Sequence, residues 1–183
     1  MVGSRAAVAV AVAVAAGRAR LLVLLALCAG GAALGAGAAP SAFDFGGRYT
    51  ASHPNGNVDG ERYTTTDTVL IVPTDRRHAL FEMELAFFNG HSCSVGGHAT
   101  LEGGALVYRD PEMTGYGDGG PCTLRIQRRG GWLTWDDAGT CTGNCGARGS
   151  LREGSMALAS RRPVPRGERQ RMLRDYEGNG IRP

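Results

Sequence analysis

The segment Phe81-Glu82-Met83-Glu84-Leu85-Ala86-Phe87 decides the fold class. Its apolar side chains alternate with Glu82, Glu84 and Ala86, and this period of two is typical of a β-strand with one buried and one wet side. A helix would scatter the two glutamates without leaving a continuous apolar side. Asn89-Gly90 follows almost directly and predicts a turn or bend.

Strand signals continue along the chain after this segment. Residues 103–110 and 130–137 share the pattern Gly-Gly-x-Leu-x-aromatic-x-Asp, and Gly-Gly suits a two-residue hairpin turn. Residues 98–110 and 122–137 are therefore predicted hairpins, and Gly96-Gly97 is interpreted as a bulge or bend. The regular spacing of short strands predicts a single all-β domain at residues 43–160, an antiparallel β-barrel or sandwich of about eight strands.

Residues 1–38 are expected to be a signal peptide and not part of the fold. Residues 1–20 carry three arginines and no acid, the apolar run 21–36 follows, and Ala36-Gly37-Ala38 is a small-x-small cleavage site. The apolar run falls short of the ~20 residues that span a bilayer. Retention as a membrane anchor and lipidation at Cys28 are the competing interpretations. Cleavage predicts a periplasmic or secreted protein without a transmembrane span.

Charge divides the rest of the chain into two parts. Residues 43–160 contain ten arginines and fourteen acidic residues, whereas residues 161–183 contain seven arginines and three acidic residues. Pro163, Pro165 and the terminal Gly-Asn-Gly favour a flexible, disordered basic tail with a transient helix at 166–178. The overall charge of +3 comes from the arginines of the leader, so it does not predict a nucleic-acid partner.

Four cysteines remain beyond the leader, and an even number in an exported chain predicts two disulfides. They are Cys93, Cys122, Cys141 and Cys145. Three pairings are possible, and the expected one joins Cys93 to Cys122 and Cys141 to Cys145, which makes residues 141–145 a stapled turn. A zinc site fits poorly because it needs a Cys-x2-Cys pair, and no metal or other cofactor is expected.

Candidate catalytic residues are few. No nucleophile or metalloprotease motif occurs, so no catalytic residue is assigned. His91 and His98 could ligate a metal or supply a base if a bulge turned them to one side, although structural roles for both fit the sequence better. Asp136-Asp137 cannot act as an acid–base pair, because adjacent strand residues point to opposite faces, and we interpret them as strand-end turn residues.

Arg148 and Trp132, together with His91, are the candidate binding residues. Arg148 follows the cysteine-rich turn, and its guanidinium can form a bidentate pair with a carboxylate. A carboxylate of this domain is the favoured alternative, and a carboxylate of a partner is the other. Alternation places Leu133 and Trp135 on one face, which leaves Trp132 pointing outward as a possible contact residue.

A resemblance to exported proteins adds to this reading. The string Asn89-Gly90-His91-x-Cys93, then Cys122-x-Leu124, Asp137 and Cys141-x3-Cys145-Gly146-Ala147-Arg148 resembles a group of small exported proteins of Gram-negative bacteria. The resemblance covers roughly residues 47–158 and implies an envelope location and a small β-domain, with no settled activity. The general build is also similar to the periplasmic inhibitors of c-type lysozyme, although the inhibitory loop signature of that family is not found.

The sequence therefore predicts a non-enzymatic, monomeric binding protein of the cell envelope, whose partner is a protein or an envelope ligand. The mildly acidic domain favours a cationic partner such as lysozyme, because opposite charge steers encounter. One alternative is a small envelope hydrolase or metal-dependent enzyme that uses His91 or His98. Another is a structural protein that its basic tail tethers to anionic lipid or surface polymer.

Overall fold

Eight antiparallel strands form the domain in the computed structural model, which describes residues 39–114 and 121–178. Each strand pairs with the next one along the chain, so the sheet is a simple meander. The strands are β1 (Gly47–Gly56), β2 (Arg62–Pro73), β3 (His78–Ala86), β4 (Ser92–Glu102), β5 (Ala105–Thr114), β6 (Pro121–Arg129), β7 (Trp132–Asp136) and β8 (Gly154–Ala157).

The sheet curls until its first strand meets the chain just beyond its last. Arg48 of β1 and Arg162 exchange two backbone hydrogen bonds, with N–O distances of 2.9 and 2.8 Å. The result is a nearly closed barrel, in which this bridge joins the two edges of the sheet. The all-β fold class is confirmed, and the barrel is the form that it takes.

Alternating side chains fill the inside of the barrel. Phe81, Met83 and Leu85 are buried, whereas Glu84 on the opposite side of the same strand is exposed. The period of two predicted from the sequence is therefore confirmed, and β3 supplies part of the central core.

Both predicted hairpins are confirmed. β4 joins β5, and β6 joins β7, through two-residue turns at Gly103-Gly104 and Gly130-Gly131. Gly103 and Gly104 have φ angles of +56° and +79°, a left-handed conformation that glycine adopts without steric cost.

Gly96-Gly97 was interpreted as a bulge or bend, and the bulge is wrong. The pairing of β3 with β4 runs through both residues without a shift in register. A Cβ on Gly96 would lie 2.6 Å from the Tyr176 hydroxyl, and a Cβ on Gly97 would lie 2.4 Å from the Tyr108 ring. The two glycines make room for one tyrosine on each side of the sheet.

The C-terminal segment forms helix α1 (Arg166–Gly178) over the residues where the sequence predicts a transient helix, and the expectation of disorder is wrong for this part of the tail. Met172 is fully buried on the outside of the barrel, where it packs with Leu70, Val72 and Leu80. Burial of the Tyr176 phenol, with the Glu82 carboxylate nearby, raises its pKa to about 12. Residues 179–183 lie outside the described residues.

A guanidinium–carboxylate pair adds a polar attachment to this packing. Arg171 of α1 donates to both carboxylate oxygens of Glu82 on β3, at 2.9 and 2.6 Å. Because α1 is attached by both apolar and charged contacts, its first turns have a defined place on the barrel.

A meander places alternate connections at opposite ends of the barrel. The end that carries the β1–β2, β3–β4 and β7–β8 connections is called the stapled end here. The basic end carries the β2–β3, β4–β5 and β6–β7 turns, residues 39–46 and the connection to α1. Within the described ranges, no helix is long and apolar enough to cross a membrane. The predicted signal peptide, residues 1–38, lies outside the described residues.

Candidate binding site

Two disulfides fasten the β7–β8 connection across the stapled end. Cys141 is bonded to Cys122 of β6 and Cys145 to Cys93 at the start of β4, with S–S distances of 2.06 and 2.01 Å. The expected pairing of Cys93 with Cys122 and of Cys141 with Cys145 is wrong. The connection crosses from β6 to β4 within a few residues, so each of its two cysteines meets a different strand.

Asp137 organises the start of this connection. Its buried carboxylate accepts hydrogen bonds from the backbone N–H groups of Gly139 at 3.0 Å and Cys141 at 2.8 Å. The neighbouring Asp136 is exposed, and its carboxylate accepts from the N–H of Ala138. Both aspartates are turn residues on opposite faces, as the sequence predicts.

Arg148 lies in a turn that is held at both ends. The N–H of Gly149 donates to the Gly146 carbonyl, and the N–H of Gly146 donates to the Ser92 carbonyl, both at 2.8 Å. Gly149 also packs on the second disulfide, where a Cβ would lie only 2.7 Å from the Cys93 Sγ. The backbone of Arg148 is therefore fixed relative to β4.

The partner of the Arg148 side chain is an aromatic ring. Its guanidinium carbon lies 5.9 Å from the centre of the Phe88 ring, within the range of a cation–π contact. Among the described residues, no carboxylate forms an ion pair with Arg148, so the favoured pairing with an acid of its own domain is not seen in this part of the chain. Phe88 is 45% exposed, which places the pair on the surface.

Two neighbouring loops complete an exposed surface around this pair. The N–H of Val58 donates to the Asn89 side-chain oxygen at 3.3 Å, and the Asn55 amide donates to the Phe87 carbonyl at 3.1 Å. Val58 is 68% exposed. Val58, Phe88 and Arg148 are called the ridge below. Aromatic residues and arginine are the residue types enriched in protein–protein interfaces.

A groove of about 490 Å³ lies beside the ridge, between β1 and the β3–β4 loop. Phe88 and His53 line it, together with Glu61 and Arg62 from the start of β2. His53 Nε2 lies 3.2 Å from the Asp67 carboxylate. Arg148 does not line the groove; it covers the ring of Phe88, which does.

The structure separates the two histidines that the sequence singles out. His91 lies beside the Arg148 turn, because a Cβ on Gly146 would be 3.0 Å from His91 Nδ1. His98 lies on the outside of β4, where its ring contacts that of Tyr176 at a centroid distance of 5.7 Å. Seven residues of extended chain separate them by roughly 20 Å. In the described part of the chain, no three His, Cys, Asp or Glu side chains could hold a metal ion.

Trp132 does not join Arg148 and His91. It begins β7 in the β6–β7 hairpin, at the basic end, and is 52% exposed. Its outward orientation is as alternation predicts, with Leu133 and Trp135 buried. The three candidate binding residues therefore fall at opposite ends of the barrel.

Val58 and Phe88 of the ridge were not predicted, although the sequence holds a signal for each. Phe87 and Phe88 are adjacent just before a turn, so alternation can bury only one of them. Val58 is an apolar residue in an otherwise polar turn, where it has no strand partner that could cover it.

No protein-family model, curated protein or solved structure matches the chain.

Proposed function

We propose that the protein is an exported, non-enzymatic binding protein that contacts a protein partner through the ridge at its stapled end. The observation that carries the proposal is the Arg148 guanidinium held over the exposed Phe88 ring, beside exposed Val58. The two disulfides support an oxidising compartment outside the cytoplasm.

The anchoring of the ridge favours binding. Hydrogen bonds join each of its loops to a neighbouring segment. The bonded pairs are Val58 with Asn89, Asn55 with Phe87, and Gly146 with Ser92. A surface held in its bound conformation loses less conformational entropy on association. Interface energy also concentrates in a few central aromatic and arginine side chains, which is what Phe88 and Arg148 offer.

The charges around the ridge favour a cationic partner. Exposed acids at the stapled end include Asp59, Glu61, Glu112, Asp136 and Glu153. The exposed arginines there, among the described residues, are Arg62, Arg125 opposite Asp136, Arg148 and Arg152. A surplus of negative charge would speed the encounter with a basic protein. A c-type lysozyme is a suitable probe, because it is a basic protein and because the small disulfide-bonded barrel is similar in build to the inhibitors of that enzyme.

The test measures lysis of a cell-wall suspension by c-type lysozyme with the oxidised 39–183 protein in micromolar excess. We expect lysis to fall, and we expect Phe88→Ala and Arg148→Ala each to raise the half-inhibiting concentration by about 30-fold, the effect of losing a hot-spot side chain. Trp132→Ala, at the opposite end, is the control and should not change inhibition. Full lysis in the presence of the unsubstituted protein would remove the inhibitor proposal.

A further inference from the structure

Unpaired positive charge is concentrated at the basic end. Four segments each contribute two exposed arginines there: the β2–β3 turn, the β6–β7 hairpin, residues 161–165 and the first four residues of α1. None of these eight arginines forms an ion pair with a described carboxylate. Their charge is therefore available to a partner.

The acidic groups at this end already have other partners. Glu168 pairs with Arg48, Glu102 with Arg109 and Asp75 with His78, and the Asp44 carboxylate accepts from the Ser41 N–H. The ion pairs with Arg48 and Arg109 neutralise Glu168 and Glu102. Asp44 and Asp75 keep their charge, but the eight arginines outnumber them.

The arginines of the C-terminal segment belong to this surface and not to a free arm. Arg161 Nε donates to the Gly46 carbonyl at 2.6 Å, and its terminal nitrogen donates to the Asp44 carbonyl at 3.3 Å. Because α1 then packs on β2 and β3 through Met172, the segment adds its charge to that of the barrel turns on one rigid end.

Two large apolar side chains stand out from the same end. Phe43 is 54% exposed and Trp132 is 52% exposed. The connection to α1 links their neighbourhoods, since the Leu158 N–H donates to the Gly131 carbonyl at 2.8 Å and Arg161 reaches Asp44. Phe43 also lines a cavity of about 530 Å³ with Arg161 and Arg169.

We infer that the basic end docks on an anionic membrane surface, with Trp132 and Phe43 at headgroup depth and the arginines on lipid phosphates. Clustered arginine binds anionic headgroups, and tryptophan favours the boundary between headgroups and acyl chains. A soluble polyanion would use the same charge but leave both exposed aromatic rings without a role. Docking in this way would leave the ridge facing away from the membrane.

The test is co-sedimentation of the oxidised 39–183 protein with phosphatidylglycerol-containing vesicles and with phosphatidylcholine vesicles. We expect binding to the anionic vesicles only. The double variant Arg76→Gln with Arg77→Gln should weaken it about 30-fold. The matched variant Arg62→Gln with Arg152→Gln removes the same charge from the stapled end and should change binding less than 2-fold.

Fluorescence separates a membrane from a soluble polyanion. The chain has two tryptophans, and Trp135 is only 5% exposed, so a change in emission on binding reports Trp132. We expect a blue shift and quenching by brominated anionic lipid. Equal weakening of vesicle binding by the two double variants would overturn the inference. So would vesicle binding that heparin fully abolishes and that leaves the Trp132 emission unchanged. So would a failure to bind the anionic vesicles.

Discussion

Gly154 shows how a single residue without a side chain supports the barrel core. It pairs with Trp135 across β7 and β8, and a Cβ in its place would lie 2.2 Å from the indole ring. The large ring of Trp135 is therefore buried against bare backbone, and any side chain at position 154 would displace it.

We predict that Gly154→Ala lowers the free energy of unfolding by about 1–3 kcal/mol, since overpacking forces the ring or the strand to move. Gly131→Ala is the matched control, because nothing lies within 4 Å of a Cβ at that position. Denaturant unfolding followed by tryptophan fluorescence measures both. Equal midpoints for the two variants would contradict the contact between Gly154 and Trp135.

At the scale of elements, helix α1 depends on a few apolar contacts. Met172 is its one fully buried side chain, with Leu173 and Tyr176 partly buried beside it in the described part of the helix. A helix with so few apolar residues has little stability by itself, so its order comes from the outer face of β2 and β3.

We therefore predict that Met172→Ala lowers the free energy of unfolding by about 2–5 kcal/mol, the range for truncating a buried methionine. Amide hydrogen exchange should show lost protection in α1 before any loss in the barrel strands. Arg174→Ala, an exposed change on the same helix, should alter stability by less than about 0.5 kcal/mol. Unchanged protection of α1 in Met172→Ala would mean that the helix does not depend on this contact.

Local patterns predicted the strands and hairpins because the physical signal is local. Alternation at residues 81–87 identifies β3, and Gly103-Gly104 identifies a hairpin turn, from neighbours in sequence alone. Gly96-Gly97 was misread because the tyrosines that need the space come from residues 108 and 176. The position of the helix was predicted, but its fixed attachment to the barrel was missed for a similar reason, although the continuous apolar run Leu70-Ile71-Val72 indicates that both faces of β2 are covered.

The site was only partly predictable from the sequence. Arg148 and His91 do come together, but the link between them is the Cys93–Cys145 disulfide, whose partners are 52 residues apart. Phe88 enters the site through the β3–β4 loop. Trp132 was assigned to the same role because alternation along a strand predicts which side chains are exposed. It does not predict at which end of the barrel a residue lies, because that depends on the topology of the whole sheet.

For the whole molecule, the two ends of the barrel carry different chemistry. The stapled end presents an exposed aromatic–arginine pair among carboxylates, and the basic end presents eight exposed arginines with Phe43 and Trp132. This polarity suits a protein that docks through one end and binds a partner with the other.

The covalent framework underlies this division, because it holds the β7–β8 connection across the stapled end. Sequence separations of 52 and 19 residues correspond to about 4 and 3 kcal/mol of stabilisation in the chain-entropy treatment. Removal of the Cys93–Cys145 bond would also release the Arg148 turn, since Gly149 packs on that bridge.

The most direct test of this framework is disulfide mapping of the oxidised protein. Non-reducing tryptic digestion leaves Cys141 and Cys145 on one peptide, because no arginine lies between them. We predict that this peptide is joined to two others, and that fragmentation between the two cysteines assigns Cys141 to Cys122 and Cys145 to Cys93. A peptide closed on itself by a Cys141–Cys145 bond would contradict the structure of the stapled end and the ridge that it holds.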